Sequence, residues 1–336
     1  MTQPTRALPL SPGDSPAIGG PLGPYPRGWF LVRFSDELAP GVAVPIRYFG
    51  EDLVLFRGES GAVKILDAFC PHLGAHLGHG GKVEGDQIRC PFHAWRFDGD
   101  GVCTDVPYAS RIPPRARVAC WPVVERDGMI FVWHDPEHGP PDWELPSLAS
   151  LLEEGRFTAW SHSVLEIKTH PREIVENLVD TAHFMPVHGT RADKFRNEYL
   201  GHVAVQHNSG VAYPLGGGED AYDLTATYYG PAYMVTHMRG VRESLIINAH
   251  TPIGPNLLHL RFAVALRQQG DREISPEFTA RYIDNLRRGY QQDVEIWEHK
   301  VFRERPLLSE CDGEFGNLRR WYRAFYEPRA SKGAAE

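Results

Sequence analysis

Long apolar runs are missing from this 336-residue sequence. One of the densest, Met129–Trp133, has five residues, far short of the roughly 20 that span a bilayer. One Arg stands near the start, and no apolar stretch like that of a signal peptide follows it. An excess of positive charge is also missing: 35 Lys and Arg face 43 Asp and Glu, a formal net charge of −8. That balance gives no electrostatic reason to expect nucleic acid or an anionic membrane as partner. Cysteine is scarce and odd in number, five in all, which makes a poor disulfide framework and hints at metal instead. No dinucleotide-binding glycine fingerprint is present. These absences lead us to expect a cytoplasmic chain.

The remainder is ordinary globular material, 42% hydrophobic and 11% aromatic, long enough for about two domains. Residues 1–28 hold seven prolines and five glycines and read as a loose arm. From Trp29 to Trp133 the pattern is β-rich. Leu53–Arg57 and Ala62–Phe69 are strand-like, and Asp98-Gly99 and Asp127-Gly128 signal hairpin turns. Four prolines between Pro136 and Pro146 mark a linker. Beyond it, Thr169 or His170 can cap a helix that Pro171 opens and Glu173 supports. Strand-like runs follow at Tyr222–Gly230, Ala232–Met238, Ser244–Thr251 and Asn256–Leu266. Ser275 and Pro276 then start a long helix with an apolar stripe: Phe278, Tyr282, Leu286, Tyr290, Val294, Trp297 and Val301. Strands followed by packed helices predict an α+β fold.

Sixteen histidines are present, and their spacing carries the chemistry. Cys70-Pro-His72 is followed, seventeen residues later, by Cys90-Pro-Phe-His93. Each half offers one thiolate and one imidazole, with glycines around them where backbone must come close. Two Cys on one iron and two His on the other is the ligand set of a Rieske [2Fe–2S] centre. The competing reading is a Cys₂His₂ zinc site, although zinc fingers pair like with like and each half here is mixed. His76 and His79 read as structural, and Cys103, Cys120 and Cys311 as space-filling or idle.

A second group follows: Glu176-Asn177, Asp180, His183, Pro186 and His188. Asn177, Asp180 and His183 recur every third residue, so we expect them along one side of a helix. His183 and His188 are too far apart around an unbroken helix to share a metal. Pro186 is expected to end the helix, so that His188 swings back from the turn beyond. Two His and one carboxylate make the facial triad of non-haem Fe(II) oxygenases. Asp293, on the inward face of the long helix, is the expected carboxylate. Glu298 is the alternative, and Glu295 points further round.

Cys70–Gly101, with Trp95 and Phe97 after the last His, resembles the Rieske domain of ring-hydroxylating oxygenases. With the second group downstream, the chain from Trp29 onward resembles the terminal component of Rieske non-haem iron oxygenases. The resemblance implies a Rieske domain at 29–146 and a helix-grip (START-like) catalytic domain at 147–336, with a curved antiparallel sheet around the long helix. It implies a [2Fe–2S] cluster on Cys70, His72, Cys90 and His93, and mononuclear Fe(II) on His183, His188 and Asp293. It also implies that Asp180 bridges His183 to a neighbouring chain's Rieske centre in a head-to-tail homotrimer. Electrons would come from NAD(P)H through a separate ferredoxin/flavin reductase, with O₂ as co-substrate.

Asp293-Val-Glu-Ile-Trp297-Glu-His-Lys300 and Leu318-Arg-Arg-Trp321-Tyr322 are similar to the 3-ketosteroid 9α-hydroxylase and cholesterol 7-desaturase group. That implies monohydroxylation, or alternatively desaturation, of a bulky apolar substrate, a steroid or another polycycle. Gly216–Gly218 departs from the pattern where the pocket mouth is expected. A small Rieske electron carrier is the non-enzymatic alternative, but it needs only about a hundred residues.

Overall fold

Short runs of buried residues dominate the first half, as in Gly28–Phe34, Glu51–Arg57 and Met129–His134, and it folds as short antiparallel strands. The computed structural model describes residues 22–154, 156–213, 218–240, 242–268, 270 and 274–329. Most of the expected arm, 1–21, therefore lies outside the described residues, as do 216 and 217 of the expected pocket-mouth segment. One four-stranded sheet runs in the order Ala43–Tyr48, Glu51–Arg57, Val63–Asp67, Cys120–Trp121. A second contains Lys82–Glu84, Gln87–Arg89, Arg96–Phe97 and Cys103–Asp105. Between them lies a core that includes Val54, Phe56, Leu66, Cys70, Cys90 and Phe97. A third sheet pairs Gly28–Phe34 and Val123–Arg126 with Met129–His134. Its middle strand is buried at every position, since one face packs on this half and the other on the next. Trp29, Phe131 and Trp133 meet Tyr233, Ile247 and Ala263 there.

The second half is one seven-stranded antiparallel sheet. Its order is Ser161–Ile167, Leu257–Leu266, Ser244–Gly254, Tyr233–Gly240, Asp220–Tyr229, Val203–Ala212, Thr190–Leu200. The four expected strands are all present. Three more, at Ser161–Ile167, Thr190–Leu200 and Val203–Ala212, join them.

The long helix Pro276–Trp297 starts as expected, with the Ser275 side chain accepting from the Phe278 N–H and Pro276 in the first turn. Phe278, Tyr282, Leu286, Tyr290, Val294 and Trp297 pack with Ile167, Leu260 and Phe262 of the sheet. Val301 does not belong to this stripe: the helix ends at Trp297 and Val301 is exposed. A sheet gripping a long helix is the helix-grip arrangement. His170, not Thr169, caps the helix Pro171–Glu176 by accepting the Arg172 N–H at Nδ1. No helix of the described residues is long and apolar enough to cross a membrane.

Candidate functional site

The two Cys-His loops are built alike. Gly74 N–H donates to the Cys70 carbonyl, and Ala94 N–H to that of Cys90. Cys70 N–H donates to Ala75, and Cys90 N–H to Trp95. Gly74 and Ala94 both take left-handed φ, +74° and +58°. Glycine does this freely, whereas alanine is strained there. The loops bring like donors together. The Cys70 thiol contacts that of Cys90, and the His72 and His93 rings meet edge-on at 4.6 Å. Thiols on one side and imidazoles on the other suit a two-iron cluster with Cys₂ and His₂ ends. His72 Nδ1 is buried without a protein partner, as a ligand nitrogen would be before its metal. Burial pushes the Cys70 thiol up to about 11, with neighbouring Cys90 adding to the effect, so cationic iron is needed to make it a thiolate.

The surroundings fix this geometry. Trp95 lies parallel to His72 at 4.7 Å, and its indole N–H donates to the Tyr108 hydroxyl at 2.7 Å. Cys103 is buried in the same core, whereas Cys120 and Cys311 are exposed and fill no space. His76 Nδ1 accepts the Gly78 N–H at 3.0 Å, closing its own turn.

The second group is arranged differently from the sequence expectation. The helix Pro171–Glu176 stops at its cap Asn177, so Asn177, Asp180 and His183 do not share one helix. A new short helix, Phe184–His188, has His183 as its N-cap and Gly189, at φ 62°, as its left-handed C-cap. Pro186 therefore lies inside the first turn of this second helix instead of ending the first. Proline is tolerated there because first-turn N–H groups have no helical acceptor. His183 is only half in the helix, so its ring is free to lean toward His188, and the ring centroids are 5.2 Å apart.

Asp293 comes from the long helix. Ligand atoms of His183, His188 and Asp293 all lie within 4.8 Å of one another. Asp293 Oδ1 is 3.3 Å from His188 Nε2 and accepts from Asn177 Nδ2 at 3.4 Å. Burial works to lower the His188 imidazole, but the hydrogen bond and charge of Asp293 outweigh it and raise it. A bound cation would take the place of that proton.

Asp180 Oδ2 lies 3.4 Å from His183 Nδ1, close but not aligned as a hydrogen bond, since that nitrogen has no partner. Burial works to raise the Asp180 carboxyl, yet His183 and two backbone N–H groups hold it below its ordinary value. Glu298 is elsewhere, accepting the Lys168 N–H at 2.8 Å. Glu295 is exposed beside His299.

The three residues line a cavity of about 180 Å³, with Leu178, Phe184, Met234 and Trp297 among its walls. That volume is below the roughly 300–1,000 Å³ that enclose a drug-sized ligand. Gln206 and Asn248, which sequence reasoning gave no role, also line it. Both are nearly fully buried on strands, and a polar residue facing inward from a sheet is the signal that would have found them.

Comparison with known proteins agrees with this geometry. Residues 28–122 match the Rieske [2Fe-2S] domain, and residues 132–326 match the 3-ketosteroid 9α-hydroxylase C-terminal domain. A 3-ketosteroid-9-alpha-monooxygenase oxygenase component of Rhodococcus rhodochrous is 38% identical, covering 90% of this chain and 81% of its own. Cholesterol 7-desaturase of Drosophila melanogaster is 32% identical over 90% of this chain and 75% of its own. Among solved structures, dicamba monooxygenase bound to 3,6-dichlorosalicylic acid shares the fold at a TM-score of 0.74 and 20% identity, over 89% of this chain and 96% of that one. A Rieske module followed in one polypeptide by the hydroxylase module leaves neither the zinc nor the simple-carrier reading: the chain belongs to the 3-ketosteroid 9α-hydroxylase family of Rieske oxygenases, as a monooxygenase oxygenase component that works with a [2Fe–2S] cluster, non-haem iron and a separate reductase.

Proposed function

We propose that this monooxygenase hydroxylates an unactivated C–H bond of a bulky apolar substrate, of steroid or similar polycyclic type. The convergence of His183, His188 and Asp293 in one cavity with apolar walls at Leu178, Phe184, Met234 and Trp297 carries the reading. The substrate class rests on the relatives, whose names specify 3-ketosteroids and cholesterol. In this reading residues 29–146 form the Rieske domain and 147–336 the catalytic domain. Cys70, His72, Cys90 and His93 would hold the cluster, and His183, His188 and Asp293 would hold Fe(II), a ligand set that leaves room for O₂ and substrate. Iron held there supplies O₂ activation and C–H oxidation.

The protein's own part is placement. Asn177, donating to Asp293 Oδ1, orients the carboxylate, as partners behind a ligand do. Leu178, Phe184, Met234 and Trp297 exclude water and present the reacting carbon. Gln206 Nε2, donating to the Leu178 carbonyl at 2.8 Å, ties the ligand loop to the sheet. Asp180 is the bridging residue: in a head-to-tail homotrimer it joins His183 to His93 of the partner subunit. Exposed Leu73 and Phe92 beside the cluster ligands, at 64% and 61%, support a partner on that side.

Turnover with NADH, a flavin–iron-sulfur reductase and a panel of 3-ketosteroids and sterols tests this reading. Holoprotein with about three irons and two sulfides per chain should give a product one oxygen atom heavier. A product lighter by two hydrogens would reassign the reaction as desaturation. Two irons per chain without turnover would remove the mononuclear centre.

A further inference from the structure

The loop that lies beyond the second Cys-His pair has a composition unlike the rest of the chain. Between Val106 and Cys120 there are three arginines, Arg111, Arg115 and Arg117, and no acidic residue, in a chain of net charge −8. All three are exposed. No hydrogen bond or ion pair engages their guanidinium groups among the described residues. The acids nearby are already taken: Asp105 pairs with Arg96 at 2.7 Å, Glu84 with Arg89 at 2.9 Å, and Asp100 with Lys64 at 3.8 Å. Apolar surface is interleaved with the charge, since Tyr108 is 61% exposed and Ile112 40%.

This loop is fixed to the cluster core. Val106, Ala116 and Val118 are buried with Cys70, Cys90 and Trp95. Ala109 N–H donates to Val106, Ala116 N–H to Pro113, and Cys103 N–H to Ala116. The side chains pointing outward are therefore presented on a fixed frame. One of them also reaches inward: the Tyr108 hydroxyl accepts the Trp95 indole N–H at 2.7 Å, and Trp95 lies flat on His72 at 4.7 Å. Two contacts thus connect an exposed phenol with a cluster ligand.

We propose that the loop Tyr108–Arg117 is the docking surface for the electron donor, and that the donor meets it with an acidic face. This rests on the reading that Cys70, His72, Cys90 and His93 hold the cluster. Arginine and tyrosine are favoured contacts in transient interfaces. A local cationic patch on an acidic protein steers an acidic partner to one place and turns its other surfaces away. In the step served, the donor gives up one electron and this chain gains one; no bond forms or breaks. Tyr108 and Trp95 hold the donor's approach within short reach of His72.

The test compares the wild-type holoprotein with the triple variant Arg111→Glu, Arg115→Glu, Arg117→Glu and with the triple Arg→Lys variant. Reduction of the oxidised protein is followed by bleaching of its visible absorption. The probes are a reduced, acidic plant-type [2Fe–2S] ferredoxin and the methyl viologen radical cation. With ferredoxin, the wild-type rate constant should fall steeply as salt rises. The Glu variant should lose about tenfold or more at low salt, together with most of the salt dependence. The Lys variant should keep most of the rate, and methyl viologen should reduce every form at least as fast as wild type. An unchanged ferredoxin rate and salt slope in the Glu variant, with methyl viologen reduction intact, overturns the proposal. So does a changed oligomeric state, which would make the loop a subunit interface. A wild-type holoprotein without the cluster's absorption would instead sink the underlying ligand assignment.

Discussion

The loops around Cys70 and Cys90 and the segment around His183 solve one problem by different means. The four proposed cluster ligands lie within the 24 positions from Cys70 to His93, on two turns closed by the same pair of backbone bonds. Local hairpin rules suffice to bring them together. The proposed second centre takes two ligands from the cap and the end of one short helix, His183 and His188, and the third, Asp293, from a helix more than a hundred residues later. Its geometry depends on the packing of Trp297, Tyr290 and Val294 against the sheet. A centre built locally is insensitive to distant packing, whereas a centre built across the fold is as exact as the fold itself.

The largest effect that could break this contrast is a ligand deletion. His183→Ala should abolish turnover and remove one iron per chain, while the visible absorption of the cluster stays as in wild type. Absorption and metal analysis on the same sample read both centres. Loss of the colour would mean that the two centres are not separately held.

A smaller effect sharpens the contrast. Each region has a backbone carbonyl seated where a glycine leaves no side chain. A Cβ at Gly81 would lie 2.0 Å from the Leu77 carbonyl oxygen, and a Cβ at Gly313 would lie 1.8 Å from that of Val179. Neither carbonyl can be cleared without moving backbone, at roughly 1–3 kcal/mol. Gly81→Ala should lower cluster content and leave mononuclear iron in place. Gly313→Ala, distant in sequence but pressing on the residue before Asp180, should lower iron content and turnover with the cluster intact. Equal losses at both centres in either variant would erase the distinction.

The same contrast explains what could be read in advance. Cys70, His72, Cys90 and His93 stand out because spacing alone specifies them. The starts of two helices were legible at His170–Pro171 and Ser275–Pro276, where capping is a local matter. The break between Glu176 and Phe184 was not: Pro186 is compatible with a helix's end and with its first turn, and only tertiary packing decides. Thr190–Leu200 was missed because it is an edge strand whose half-buried face mixes Ala192, Phe195 and Tyr199 with Thr190 and Asn197 and has no fully buried position. Val203–Ala212 was missed because Gln206 and Asn208 point polar groups inward, against the usual pattern of a strand. Asn177's bond to Asp293 joins residues 116 apart, a contact no local pattern reports.

The smallest effect separates the scaffold from both centres. His134 is buried, stacked on Phe49 at 4.2 Å, with Nδ1 donating to the Pro26 carbonyl at 2.9 Å. Burial lowers its imidazole to about 4, although the Pro26 bond and Asp135 work the other way. In the unfolded chain the same group titrates near about 6.5. Between those values the unfolded chain binds the extra proton, so the contribution is complete above about pH 6.5 and is lost as pH falls toward 4. At pH 5.5 the loss from this one group is about 1 kcal/mol. His170 and His250, lowered by burial to about 4 and about 3, add their own slopes in the same direction on the catalytic side. His134→Gln should therefore flatten, without abolishing, the fall in thermal stability between pH 7.5 and 5.5. Metal content at pH 7.5 should be unchanged, because the ring touches neither centre's ligands. A variant with the wild-type slope would mean that His134 has no part in the pH response.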